Sequence, residues 1–226
     1  MAKNVEKEQE QAVAEAVSKT EAFFEQNGKK VLLALVVIAA LVAGGYAYKA
    51  LVLDRNAERA SELIVEAQER FGVENPDFAL ALNGDEQGAG FLDVIEQYGS
   101  TAAGNLAKHY AGVCYLRLGD LENAAKYLAQ YSEVDGLPGA ILNAQNLGLR
   151  GDVAVENGDY EAAVKFFAKA VKASDNLYTT PLYLRKQGLA LKALGRNAEA
   201  AELFEQILAD YPASIDAREA EKLIAE

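Results

Sequence analysis

The sequence predicts an all-α protein, with a single transmembrane helix near its N-terminus followed by an α-solenoid of stacked helix pairs. Three observations carry that prediction. An uncharged run, VLLALVVIAALVAGGYAY, fills residues 31–48. Gly112, Gly151 and Gly188 open three windows that share the same internal offsets. Between run and windows, Ala57, Ala60, Leu63, Ile64, Ala67 and Phe71 recur at helical spacing.

Residues 1–30 form a polar tail. Val13, Val17, Phe23 and Phe24 fall near one helical face among Glu and Lys. Such a tail is either solvated and frayed or an interfacial helix or docking peptide, and its mixed charge favours the solvated tail. The apolar run extends through Leu53, so residues 31–53 are long enough to cross a hydrocarbon core of about 30 Å. Lys29 and Lys30 flank one end, and Tyr46, Tyr48 and Lys49 form an interfacial belt at the other, where Lys49 can snorkel along its stem. A cleaved signal peptide would carry a short basic leader and an A-x-A site, whereas here a long polar segment with six Glu precedes the run. A buried core helix would be shorter and broken by polar positions. Residues 31–53 therefore read as an uncleaved anchor. Lys19, Lys29 and Lys30 on one side balance Lys49, Arg55 and Arg59 on the other. Only the adjacent Lys29–Lys30 pair tilts the N-terminus toward the cytoplasm. Within the span, Ala39, Ala43 and Ala47, beside Ala40 and Gly44, form a small face of the kind that lets another helix approach.

Residues 54–90 read as a juxtamembrane helix and loop. The helix continues out of the membrane to Phe71, with Glu66 and Arg70 as an i,i+4 pair. Over 72–90, Pro76, Gly84, Gly88 and Gly90 oppose helix, yet Phe78, Leu80 and Leu82 are more apolar than a free linker carries. These three side chains either dock on the stack and seal its first helix or form a partner-binding loop.

Residues 91–226 hold the repeats. Seven residues after each window glycine comes another, Gly119, Gly158 or Gly195. An alanine follows at 124, 163 or 200, and a large apolar residue at Leu128, Phe167 or Phe204. The residue types have a physical logic. Small residues where two helices cross let the backbones approach, the apolar residue plugs the gap, and the second glycine ends the first helix. A half-repeat, FLDVIEQYGST, precedes them and matches FEQILADYPAS further on, so 91–98 is predicted to be a second-helix element and 215–225 a closing helix. Asp216, Glu219, Glu221 and Lys222 give that terminal face its polarity.

The chain is poor in chemistry. Its net charge is −12, with no basic run to bind nucleic acid. The single Cys114 excludes an intramolecular disulfide and multi-Cys metal sites, and the single His109 excludes His-rich ones. His109 and Cys114 stand at i,i+5, which points them apart on a helix. Glu199, Glu202 and Glu205 read as a solvated face. The segment GDEQGAG lacks the Lys-Ser/Thr of a phosphate loop. No enzyme, cofactor, metal site or small-molecule substrate is expected.

The motifs AGVCYLRLGDLENAAKYL, GDVAVENGDYEAAVKFFAKA and GLALKALGRNAEAAELFEQI resemble the tetratricopeptide repeat (TPR). They depart from it at the tryptophan position, which carries Lys108, Leu147 and Leu184, and in spacings longer than 34 residues. The excess is placed in the connections 133–139 and 175–181. The resemblance implies a concave groove lined by the first helix of each pair, here 105–118, 144–157 and 181–194. His109, Arg117, Asp152, Arg185 and Lys192 are its candidate partner-binding residues, with Phe78, Leu80 and Leu82 as the competing loop. The Lys/Asn carboxylate clamp of chaperone-binding members is not reproduced.

Tail, span and repeats together resemble the single-span, membrane-anchored tetratricopeptide proteins of Bacteroidota, which are similar to the YfgM-like family. That resemblance implies a bacterial inner-membrane protein, single-pass, with a cytoplasmic N-terminus and periplasmic repeats. It implies protein partners, Sec translocon subunits or a periplasmic prolyl isomerase or chaperone among them. An envelope-assembly or secretion scaffold without a translocon link, and a cytoplasm-facing docking receptor, stand as alternatives.

Overall fold

The structure is a computed structural model that describes residues 2–72 and 74–225. Within the N-terminal helix it describes the side chains of 17, 18, 21 and 23 and from 25 onward. Among the described residues every regular element is helical, apart from one isolated bridge between Asp85 and Gly88. The chain divides into two compact units, one ending at Arg55 and the other beginning at Asn56.

In the first unit, α1 (Ala2–Tyr48) runs into a π-helical turn, Lys49–Leu53. The described residues contain one helix long and apolar enough to cross a membrane. Its apolar side chains, Leu32 to Leu53, are exposed, as lipid contact requires. Lys49 reaches along the helix to place Nζ 3.2 Å from Asp54 Oδ1. Of the tail's apolar face, Val17 and Phe23 are exposed, whereas the Val13 and Phe24 side chains lie outside the described residues.

The second unit is the solenoid. Its elements are α2 (Asp54–Phe71, whose first two residues close the preceding unit), α3 (Phe78–Asn83), α4 (Phe91–Tyr98), α5 (Ala102–Arg117), α6 (Leu121–Gln130), α7 (Leu137–Glu156), α8 (Tyr160–Ala173), α9 (Thr179–Ala193), α10 (Asn197–Asp210) and α11 (Ile215–Ala225). The pairs α5–α6, α7–α8 and α9–α10 are the three repeats. α4 precedes them as the expected lone second helix, and α11 closes the stack against α10.

The junction inside each pair follows from sequence. Gly119, Gly158 and Gly195 adopt φ of +81°, +74° and +73°, the left-handed cap that ends a helix without a Cβ penalty. Asp120 and Asp159 follow the first two, and each carboxylate accepts the backbone N–H three residues on, at 3.0 Å. The third pair has Arg196 there, which instead chelates Glu199 at 2.7 and 2.6 Å. The helix crossings are tight. A Cβ on Gly112 would stand 2.5 Å from Leu128 Cγ, one on Gly151 would stand 2.5 Å from Phe167 Cε1, and one on Gly188 would collide with the Phe204 ring. The lengthened spacing sits only partly in the expected connections: the irregular stretches are 131–136 and 174–178, and 137–139 belong to α7, which starts earlier than 144 and runs for 20 residues.

One expectation changes. The 72–90 segment is not a single loop, because Asp77 caps a short helix, its Oδ1 accepting Leu80 N–H at 2.9 Å. Pro76 and Gly84 lie outside that helix and set its limits. Ile64, Ala67, Ala81, Leu82, Phe91, Val94, Ala107, Ala111 and Cys114 share one buried cluster. The segment from Asn56 to Gly90 therefore belongs to the same compact unit as the repeats.

Candidate functional site

The first helices of the three repeats present one groove. Its first cavity, about 500 Å³, is lined by Leu116 and Arg117 at the end of α5, Gly119 and Leu121 beyond it, and Leu149, Asp152, Val155 and Glu156 on α7. The next, about 390 Å³, is lined by Asp152, Val155, Tyr160 and Phe167 with Arg185, Lys186, Leu189 and Ala190 on α9. Asp152 and Val155 line both cavities, which makes the groove continuous from α5 to α9.

Charges in the groove are mostly paired. Both Asp152 oxygens accept from Lys186 Nζ at 2.7 Å, and that ammonium also stands 5.9 Å from the Phe167 ring centre. Arg185 Nε donates to Asp216 Oδ1 at 2.6 Å, tying α9 to the closing helix. Burial, aided by the Asp152 charge, pushes the Tyr183 phenol up to about 12. Arg117 is exposed and makes no ion pair among the described residues, so it and Glu156 are the groove's open charges. Apolar Leu116, Leu149, Val155 and Leu189 fill the remaining lining. Such a surface suits a peptide segment, with aliphatic contact along the floor and charge contacts at the rim.

The structure brings Arg117, Asp152 and Arg185 together along this groove. It places the other two groove candidates elsewhere. His109 is buried between α5 and α7, its Nδ1 3.3 Å from Asn146 Nδ2, so it presents nothing to a partner. Desolvation lowers its imidazole to about 4. Cys114 is buried too, and the same cause raises its thiol to about 12. Lys192 lies outside both cavities and reaches across to α11, with Nζ 3.4 Å from the Leu223 carbonyl.

The competing loop residues mostly turn inward. Leu82 is buried, and Phe78 packs edge-on against Phe71 at 5.7 Å, beside the stacked rings of Phe91 and Tyr110. Leu80 is partly buried. Arg70 secures the segment by donating to the Gly88 and Ala89 carbonyls and to Asp85 Oδ1. Leu82 and Phe78 thus pack on the stack.

Sequence reasoning passed over Val155, Glu156 and Tyr160. Their signal is the helical spacing from Asp152, which puts Val155 and Glu156 on its face of α7.

Helix pairs that cross at glycine, stack in register and line a groove with their first helices define a helical-repeat protein. Tetratricopeptide repeat family models match residues 107–134 and 183–214 in one form and 144–177 in another, so the chain carries tetratricopeptide repeats. Solved structures that it resembles include two of MamA. "Crystal structure of MamA" is 18% identical, covers 59% of this chain and 74% of that one, and has a TM-score of 0.45. "Crystal structure of MamA protein" is 17% identical, covers 73% of this chain and 86% of that one, and has a TM-score of 0.47. No curated protein matches the chain.

Proposed function

We propose that this chain is a membrane-anchored protein-interaction module. Its groove across α5, α7 and α9 holds a segment of a protein partner beside the bacterial inner membrane, with an N-terminal tail in the cytoplasm and repeats in the periplasm. The observation that carries the reading is the continuous groove, which joins four aliphatic side chains to the open charges of Arg117 and Glu156. The single apolar helix supports the anchoring. The Lys29–Lys30 pair at its start supports the orientation. The resemblance to the YfgM-like family supports a role near the Sec translocon, assisting translocation or periplasmic chaperoning. Anchoring raises the local concentration of membrane-associated partners, so the groove can work at modest intrinsic affinity.

Crosslinking in native membranes, followed by mass spectrometry of the adducts, tests this reading. Adducts with translocon subunits or a periplasmic prolyl isomerase or chaperone are the expected result. Adducts confined to other envelope machinery would replace the translocon role with that of a scaffold. Adducts confined to cytoplasmic proteins would overturn the orientation and the partners together.

A further inference from the structure

We propose that the cleft between α6, α7 and α8 is a second protein-docking site, one that takes an acidic side chain of a partner on Arg150. The cleft encloses about 330 Å³. Ala125 and Ala129 of α6, Val153 and Ala154 of α7, and Ala162 and Phe166 of α8 give it an apolar floor. Its α7 residues, Arg150, Val153 and Ala154, with Asn157 capping the helix, occupy a different face from Leu149, Asp152, Val155 and Glu156, at 100° per residue. The two sites are therefore separable by substitution.

Arg150 supplies the chemistry. Its guanidinium lies over the Phe166 ring, 4.6 Å from the ring centre, a cation–π contact that holds it at the cleft. Among the described residues, the other arginines withdrawn in part from solvent each hold a carboxylate. Arg70 holds Asp85, Arg185 holds Asp216 and Arg196 holds Glu199. Arg150 is partly buried and makes neither an ion pair nor a hydrogen bond among the described residues. It is a bidentate donor without an acceptor among the described residues, and a carboxylate is the partner that matches it. Glu133 is near enough to act on its charge without pairing with it. Asp159 lines the cleft too, with Oδ1 engaged by Ala162 N–H, so an incoming carboxylate is confined to the Arg150 end. The floor beyond takes an aliphatic side chain next to the acid. The site thus reads an acidic residue flanked by small aliphatic ones, a pattern distinct from the mixed charge of the groove.

The test uses the full chain in detergent micelles, labelled with ¹⁵N, observed at the arginine Nε–Hε resonances. The Arg150 signal is identified by its loss in Arg150→Gln, whose melting curve serves as the check on folding. The probe is a short acetylated peptide of alanine, leucine and glutamate, and its control replaces glutamate by glutamine. The expected result is a saturable shift of Arg150 Nε–H with the glutamate peptide and binding about tenfold weaker with the glutamine one. Arg117→Gln retains the response, and Arg150→Lys, which keeps charge but loses the fork, weakens it. Equal binding of the two peptides would overturn the proposal. So would acetate alone saturating the signal at the peptide's concentration, which would leave a small-anion site in place of a docking site.

Discussion

Gly151 is the position where one added side chain tests the repeat packing most sharply. A Cβ there would stand 2.5, 2.7 and 2.8 Å from Cε1, Cδ1 and Cζ of Phe167. Carbon atoms pack at about 3.5–4.0 Å, so the ring or the α7 backbone must retreat by about 1 Å. Phe167 is 1% exposed and lies against the Tyr183 ring, with centroids 6.4 Å apart, so its retreat disturbs that stacking. Overpacking of this kind costs about 1–3 kcal/mol, offset for alanine by about 1 kcal/mol of helix propensity. Gly151→Ala is then expected to cost up to about 2 kcal/mol and Gly151→Leu more. At about 2–4 °C per kcal/mol for a unit of this size, the alanine variant melts up to about 8 °C lower. The assay is thermal unfolding of the full chain followed by circular dichroism. Gly151→Ala combined with Phe167→Leu should lose less than the sum of the two single changes, because the smaller side chain vacates the contested space. Gly158→Ala is the contrast. It meets no atom within 4 Å but holds φ at +74°, so its cost of about 1–2 kcal/mol is conformational and no trimming of a neighbour relieves it. An unchanged melting temperature for Gly151→Leu, or strict additivity in the double variant, would refute the crossing argument.

Three further outcomes follow from particular contacts. His109 is held neutral in the folded chain, with its pKa lowered to about 4 against an ordinary 6.5. Between those values the unfolded chain binds a proton that the folded one does not. Its contribution is therefore complete above pH 6.5 and is lost as pH falls to about 4, amounting to roughly 3 kcal/mol. Urea unfolding at several pH values should show this slope in the native chain and lose it in a folded His109→Gln. Arg70→Met removes three hydrogen bonds to the 85–89 turn, and an expected loss of about 1–3 kcal/mol should appear as faster amide exchange across 78–98. Protease added outside intact spheroplasts should digest the chain beyond about residue 54, whereas protection until lysis would reverse the proposed orientation.

Architecture was legible where one residue type has one physical use. Gly112, Gly151 and Gly188 announced the crossings because no other residue fits against Leu128, Phe167 and Phe204. Gly119, Gly158 and Gly195 announced the caps because left-handed backbone selects glycine. The groove was legible only in part, because a polar side chain does not state its partner. His109 was expected on the surface and is buried, satisfied by Asn146 from the next repeat, a contact across 37 positions that no local pattern encodes. Arg185 was a candidate for partner binding, and α11 brings Asp216 to it. Reversing charge at Arg185 and Lys192 would therefore disturb the α9–α11 closure as well as the groove, and Arg117 is the cleaner probe of binding. Helix α3 was missed because Pro76 and Gly84 were read as breakers when they flank it.

The claim that the groove is the partner-binding surface is tested most directly by photo-crosslinking from single positions in native membranes. A photoreactive residue at Arg117 or at Leu189 sits in the groove, and one at Glu205 sits on the exposed face of α10. The account predicts adducts to the same partner from both groove positions and none from Glu205. Adducts from Glu205 alone, or equal yields from all three, would contradict it.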